Sequence, residues 1–541
     1  MRARIFLGMA AAIVAACTAQ TEEVPQTFPL ENISISAGAP LHERLSRNKH
    51  RLEDTIYQPD MAIADSKDWP GDYVGRIILG TTLSSRALHE EPAFLPEILR
   101  RLPGSLNEKG YLGDDFSPEI NEQQLSGHGW LLRGLCEYYK WKGDESMVLL
   151  MLIRTIVDNL FLPGAGKYES YPIDPALHSN EGGEASGAIN SSTSGWILST
   201  DVGCLFIGMA GLVDAYEVLG DKKLRPVIEE MMERFLEIDL VGIQMQTHAT
   251  LSALRGMLKY YSLTGEERWL KAAADRWAVY ENEGMTCTYA NYNWFGRKDS
   301  WTEPCAVVDS YIVAFELWKA TMDPHYRDMA ELIYYNALSN GQRDNGGFGC
   351  DNCPSPEDPF LKVIIPEATW CCTMRGGEGL PRVAESAWAR KGSSLYVPFF
   401  FSGILNAPGL TVRERTSYPD RSLVVFTFED NSAGVDRILV PELPWAEGWK
   451  VTVNDTETET VQEDGFLAIC KPFASGDVVK VSFVTKRKID EWNGRKRYFF
   501  GPLMQCIVTG SQERGIAAFK AVGHMMDPAV LTEGYSRRVL F

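Results

Sequence analysis

RGLCEYYKWKGD at residues 133–144, AGLVDAYEVLGD at 210–221 and RGMLKYYSLTGE at 255–266 are one phrase written three times. AFELWKATMD at 314–323 is a worn fourth copy. Each carries apolar residues at helical spacing and closes on a small polar turn. Each then leads into a second helical run, such as KKLRPVIEEMMERFLEI at 222–238. The Leu, Met and Tyr of these stripes read as core. Measured between last residues, the copies recur at 77, 45 and 57 residues, too irregular for an open solenoid of short helical units. Helix pairs separated by long insertions predict a closed α/α toroid. Its inner helices surround a central pocket, and the insertions form one rim.

The texture changes after Ser393. SLYVPFF, LTVRERTS, SLVVFTF, WKVTVND and VVKVSFV alternate or run in β-rich blocks, with turns at Asn454-Asp455 and Gly476-Asp477. A β-sandwich region is predicted for residues 391–541, behind a helical domain over 30–390. No linker rich in Ser or Pro separates them, so firm docking is expected. The stretch AFKAVGHMMDPAVL near the end has no assigned place.

The N-terminus reads MRARIFLGMAAAIVAACTAQTEE. Arg2 and Arg4 precede an apolar run from Ile5 to Ala16, the pattern of an export signal. VAAC, ending at Cys17, resembles a bacterial lipobox. Residues 1–17 are therefore expected to direct export and lipid attachment at Cys17, with 18–29 as a polar leader. No later segment reads as a transmembrane span. A formal net charge of −19 argues against nucleic acid and anionic membrane surfaces as partners. Fourteen Trp, 21 Tyr and 23 Phe fit a protein that handles sugars, though they fill ordinary cores as well. In an oxidising compartment, disulfides are the default for the ten cysteines other than Cys17.

Two short stretches carry chemistry. TWCCTMRGG, residues 369–377, sets Cys371 beside Cys372. Adjacent cysteines rarely pair with each other, because the ring they close strains the backbone. WTEPCAVVDS, residues 301–310, places Glu303 two before Cys305. Three thiolates and a carboxylate at tetrahedral reach suit Zn2+ better than calcium or magnesium. Cys350 and Cys353 offer a rival set with Cys371 and Cys372, and disulfides or free core thiols are the third reading.

WTEPCAVVDS, TWCCTMRGG and LIYYNALSNGQ at 332–342 resemble the bacterial β-L-arabinofuranosidase group, glycoside hydrolase family 127 and its relatives. YVPFFFSG, VNDTETETVQEDGFLAICKPFASGDVV and GPLMQC look like the same family's β-domains, and the resemblance runs from FPLENISIS at 28–36 to about residue 510. It implies an (α/α)6 barrel followed by β-sandwich domains. It also implies a zinc held by Glu303, Cys305, Cys371 and Cys372, with Cys371 as the nucleophile of a retaining glycosidase acting on oligo- or polysaccharide. The implied sugar is a terminal β-L-arabinofuranose.

One departure stands out. The family's acid/base glutamate falls about sixteen residues before the zinc-binding one, and here that position is Cys287. The nearest acids, Glu281, Glu283 and Asp299, do not match the motif. A sugar lyase, or a carbohydrate-binding lipoprotein with a structural zinc, is therefore the alternative. His248 resembles the family's pocket histidine. His128, Trp130, Trp196, Arg375 and Glu378 are further candidate sugar contacts, with core packing or mutual pairing as the other reading, and His178 reads as rim surface.

Overall fold

The computed structural model describes residues 24–64, 68–143, 147–180, 187–355, 357–492 and 495–510, with short strands at 523–524 and 535–539. Cys17, the signal segment and most of the expected leader lie outside the described residues, as does most of AFKAVGHMMDPAVL.

Twelve helices alternate between an outer and an inner layer. The outer ones are α1 (Pro40–Arg51), α3 (Leu95–Arg101), α5 (Met147–Ile156), α7 (Leu224–Leu236), α9 (Glu267–Val279) and α11 (Pro324–Ile333). The inner ones are α2 (Asp72–Leu88), α4 (Glu122–Lys142), α6 (Leu205–Leu219), α8 (Thr247–Thr264), α10 (Pro304–Thr321) and α12 (Cys372–Glu385). Each inner helix packs on the next, and α12 packs back on α2, so the ring is closed. This is an (α/α)6 barrel.

The four repeated phrases are the C-terminal halves of α4, α6, α8 and α10. Three end on Gly143, Gly220 and Gly265, all with positive φ, where a residue without Cβ turns the chain outward. The fourth has Met322 there, at φ 58°, which accounts for its worn appearance. Segment 147–164 is apolar and long enough to cross a membrane by composition alone. It is the outer helix α5 and its continuation, with Leu149, Leu152, Ile153, Ile156, Val157 and Phe161 buried in the barrel wall.

The β-region holds a six-stranded and a seven-stranded sheet, built mostly from residues 389–485. Residues on both sides of position 30 join these sheets. Gln26–Thr27 pairs with Thr27 opposite Ala389, and Ile33–Ile35 pairs with Gly403–Leu405, so the start of the chain is woven into the β-region. A third sheet, from 487 onward, takes in Phe360–Leu361 from a barrel insertion. Arg497 of that sheet donates to the Cys287 carbonyl (2.7 Å), and Asn336 of the barrel donates to the Pro502 carbonyl (2.9 Å). The two parts are docked through hydrogen bonds as well as packing.

Candidate active site

All six inner helices begin at the same end of the barrel, and their N-terminal dipoles favour negative charge there. Glu303 occupies the N-cap of α10 in an extended conformation (φ −122°, ψ 110°), with Pro304 and Cys305 in the first turn. Cys371 occupies the N-cap of the adjacent α12, and Cys372 opens it. The ligand atoms of Glu303, Cys305, Cys371 and Cys372 all lie within 4.8 Å of one another. Cys305 and Cys372 are buried, whereas Glu303 and Cys371 are partly open.

Nine thiols (Cys136, Cys204, Cys287, Cys305, Cys350, Cys353, Cys371, Cys372 and Cys470) are free, so the expected disulfide default fails among the described residues. The rival zinc set does not assemble either. Cys350 approaches Cys372, but the Cys353 thiol points to the Asn291 carbonyl (3.6 Å).

The donor set fits zinc on three counts. The Cys305 and Cys372 sulfurs are 3.7 Å apart, and those of Cys371 and Cys372 are 3.3 Å apart. Thiolates at tetrahedral corners about 2.3 Å from zinc stand roughly 3.8 Å apart. Glu303 Oε2 is buried with no hydrogen-bond partner, a costly state for a carboxylate unless a cation serves it. Burial opposes ionisation of Cys305, yet hydrogen bonds from Cys371 and Cys372 and the Arg76 guanidinium hold its thiol well below the ordinary range. The hydrogen bond with Cys305 pushes the Cys371 thiol up, and burial pushes that of Cys372 up.

A layer of paired charges supports the tetrad from beneath. Arg76 Nη1 donates to the Cys305 sulfur (3.3 Å) while its other nitrogens hold Asp72 (2.6 and 3.0 Å). His248 sets Nδ1 3.3 Å from Glu303 and Nε2 3.5 Å from Asp309. Burial works against the imidazolium, but the Glu303 and Asp309 carboxylates lift it to about 9. Asp309 also accepts from Ser252 (2.6 Å) and from Arg375. Burial would raise its carboxyl, but Arg375, His248 and Arg133 hold it well below the carboxylate range.

His248 is thus 2 % exposed and held between the Glu303 and Asp309 carboxylates, a placement suited to orienting Glu303. Three other sequence candidates are also placed in the wall. His128 donates from Nδ1 to the Gln124 carbonyl (2.8 Å) and accepts the Leu112 amide at Nε2 (3.0 Å), leaving no ring nitrogen for substrate. Trp130 is fully buried against the guanidiniums of Arg133, Arg76 and Arg375 at 3.9, 4.0 and 4.5 Å. Arg375 pairs with Asp309 and Glu378, both buried. Trp196 packs edge-on to Tyr171, and His178 bonds the Pro172 carbonyl at the rim (2.8 Å).

Cys287 is buried and donates to the Pro354 carbonyl (3.4 Å), so no carboxyl takes its place. Glu281 serves Trp277 and His325, and Asp299 serves Arg297. Sequence reasoning missed Arg76, Asp72 and Asp309, and also two buried acids at the mouth. Asp201, just before α6, is pushed up to about 8 by burial and by Glu303. Glu122, the first residue of α4, is pushed up to about 7 by burial. Their one sequence signal is position, within a turn of an inner-helix start.

Two family models match in register with these parts. Residues 212–385 match the GH127 catalytic domain of beta-L-arabinofuranosidases, and 394–485 match the GH127 middle domain. The chain belongs to glycoside hydrolase family 127. Solved structures agree on the architecture. A GH127 beta-arabinofuranosidase superposes with a TM-score of 0.66 at 16% identity, covering 89% of this chain and 85% of that one. A GH127 beta-L-arabinofuranosidase from Geobacillus stearothermophilus T6 gives 0.65 at 15%, covering 88% and 86%. A protein described as a glycoside hydrolase gives 0.67 at 14%, covering 90% and 84%. At these identities the likeness is one of fold. No curated protein sequence matches the chain. This family 127 member is a glycoside hydrolase with a metal-binding Glu/Cys tetrad at the mouth of its barrel.

Proposed function

We propose that the protein is an exported, retaining glycosidase in which Cys371 is the nucleophile and Glu303, Cys305, Cys371 and Cys372 hold the zinc. The carrying observation is the difference between the paired thiols. Cys372 is fully buried, and Cys371 is the sulfur on the open side of the tetrad. Bound zinc keeps the sulfur as thiolate and protects it from oxidation. Cys371 Sγ attacks the anomeric carbon, the carbon–oxygen bond to the leaving unit breaks, and its electron pair takes up a proton. Water then cleaves the carbon–sulfur bond, returning the thiolate and a sugar of retained configuration. Terminal β-L-arabinofuranose is the proposed sugar, supported by the family. Lipid attachment at Cys17 is proposed from VAAC alone, and an intact mass without acyl groups on membrane-extracted protein rejects it.

The test of the nucleophile is an acid quench of enzyme turning over an aryl β-L-arabinofuranoside, whose leaving group needs little proton assistance. Peptide mapping is expected to place the sugar on Cys371 within TWCCTMR, and Cys371→Ser to lose it. An adduct on a carboxylate, or initial product of inverted configuration, overturns the mechanism.

The buried Cys287 favours a second reading. With no carboxyl at that position, a sugar lyase or a carbohydrate-binding protein that keeps zinc as structure is the alternative. Turnover of an alkyl β-L-arabinofuranoside rules it out. An unsaturated product, or sugar binding without turnover of any arabinofuranoside, establishes it.

A further inference from the structure

Trp370 stands immediately before Cys371 and is 57% exposed. That is unusual in this molecule, where Trp130, Trp196, Trp269, Trp277, Trp318, Trp388 and Trp445 are all essentially inaccessible. Its indole makes no hydrogen bond, ring stack or cation contact among the described residues.

The backbone that carries it is nonetheless fixed. Tyr57 donates its hydroxyl to the Thr369 carbonyl (3.0 Å), the Ala368 amide donates to Phe348 (2.9 Å), and the Cys371 amide donates to Ala368 (3.3 Å). Glu367 is clamped by Arg51 (2.9 and 3.1 Å), Asn345 (2.7 Å) and Thr373 (2.9 Å). A large apolar ring is therefore displayed to solvent from a rigid segment. Neighbouring Cα atoms are about 3.8 Å apart, so the indole lies within roughly 10 Å of the Cys371 sulfur, the span of one or two sugar rings.

We propose that Trp370 is the platform on which the leaving side of the glycan stacks, the sugar unit that departs when Cys371 attacks. This rests on the reading of Cys371 as nucleophile. A sugar ring presents a face of C–H groups, and an exposed indole offers apolar area together with a negative π-face for them. An unpartnered tryptophan so near the reacting atom has a reason to be exposed if substrate covers it during turnover. It then determines what may follow the cleaved residue, favouring a pyranose or furanose ring over a small alcohol.

The experiment compares Trp370→Ala and Trp370→Tyr with the unaltered enzyme on two probes, a β-linked L-arabinofuranose disaccharide and methyl β-L-arabinofuranoside. The ratio of kcat/KM for disaccharide to that for methyl glycoside is expected to fall about tenfold in Trp370→Ala, chiefly through KM. Trp370→Tyr is expected to restore most of it, and zinc content to stay at that of the unaltered enzyme. An unchanged ratio overturns the platform, whatever the absolute rates. An adduct on Cys371 with an unchanged ratio removes the platform alone. A lowered ratio with the adduct elsewhere removes the nucleophile and leaves the platform standing. Should neither glycoside turn over, calorimetry of disaccharide binding decides. Weaker binding by Trp370→Ala supports the platform, and equal or absent binding overturns it.

Discussion

His248 touches two carboxylates that have different duties, and removing it separates them. Its Nδ1 faces Glu303, which offers an oxygen to the metal, and its Nε2 faces Asp309, which belongs to the arginine layer beneath. His248→Ala leaves Asp309 with Ser252 and Arg375, whereas Glu303 loses the side chain that aims it. Partners of this kind are typically worth 10- to 100-fold in metal affinity. Zinc competition against a chromophoric chelator is therefore expected to show a loss of that order, with the circular dichroism of the barrel retained. Unaltered affinity would show that Glu303 is held by α10 alone. The four ligands were legible because each is a chemically distinctive residue next to another. His248 was legible only as a residue of importance, since nothing in QMQTHATL tells a ring that meets substrate from one that meets a neighbouring carboxylate.

Between elements, the inner helices meet backbone to backbone. A Cβ on Gly75 of α2 would stand 2.3 Å from the Leu131 amide nitrogen of α4, and one on Gly211 of α6 would stand 2.2 Å from the Gly129 carbonyl oxygen. No side-chain movement relieves such contacts. Gly75→Ala is expected to cost about 3 kcal/mol, visible as a lowered thermal midpoint, while Gly104→Ala, with open space around it, is expected to be neutral. In the β-region, Glu414 sits at an inward position of strand Leu410–Thr416, and burial pushes its carboxyl well above the carboxylate range despite the Phe401 amide. A raised carboxyl binds its proton more tightly in the folded state. Its contribution is intact below the ordinary value near pH 4 and is lost as pH rises toward the folded value. Glu414→Gln is thus expected to raise the thermal midpoint at pH 8 and to change it little at pH 4. Equal effects at both pH values would contradict that assignment. The alternation in LTVRERTS reveals the strand but not the burial of Glu414, because whether a side of a strand is covered depends on what packs over it.

At the scale of the molecule, the tetrad draws its members from the starts of α10 and α12, so a zinc held there would tie these helices together where α12 closes the barrel against α2. Removal of zinc with a chelator is expected to lower the thermal midpoint and to expose three adjacent sulfurs to air. Non-reducing peptide mapping should then find disulfides among Cys305, Cys371 and Cys372, which the zinc-loaded protein lacks. Mapping that finds no such bonds after prolonged aeration would mean that the helices hold the sulfurs apart without the ion. The sequence by itself determined the helix pairs, the change to strands near residue 393, and the four groups that converge, since periodicity and residue chemistry are local properties. Only the tertiary structure decided that residues 26–35 join the β-region, that the nine described thiols stay free, and that His128, Trp130 and Arg375 face inward. Those outcomes depend on which surfaces meet after the ring closes. Strand partners as far apart as Thr27 and Ala389, or a histidine whose two nitrogens are taken by backbone groups, leave no trace in the spacing of neighbouring residues.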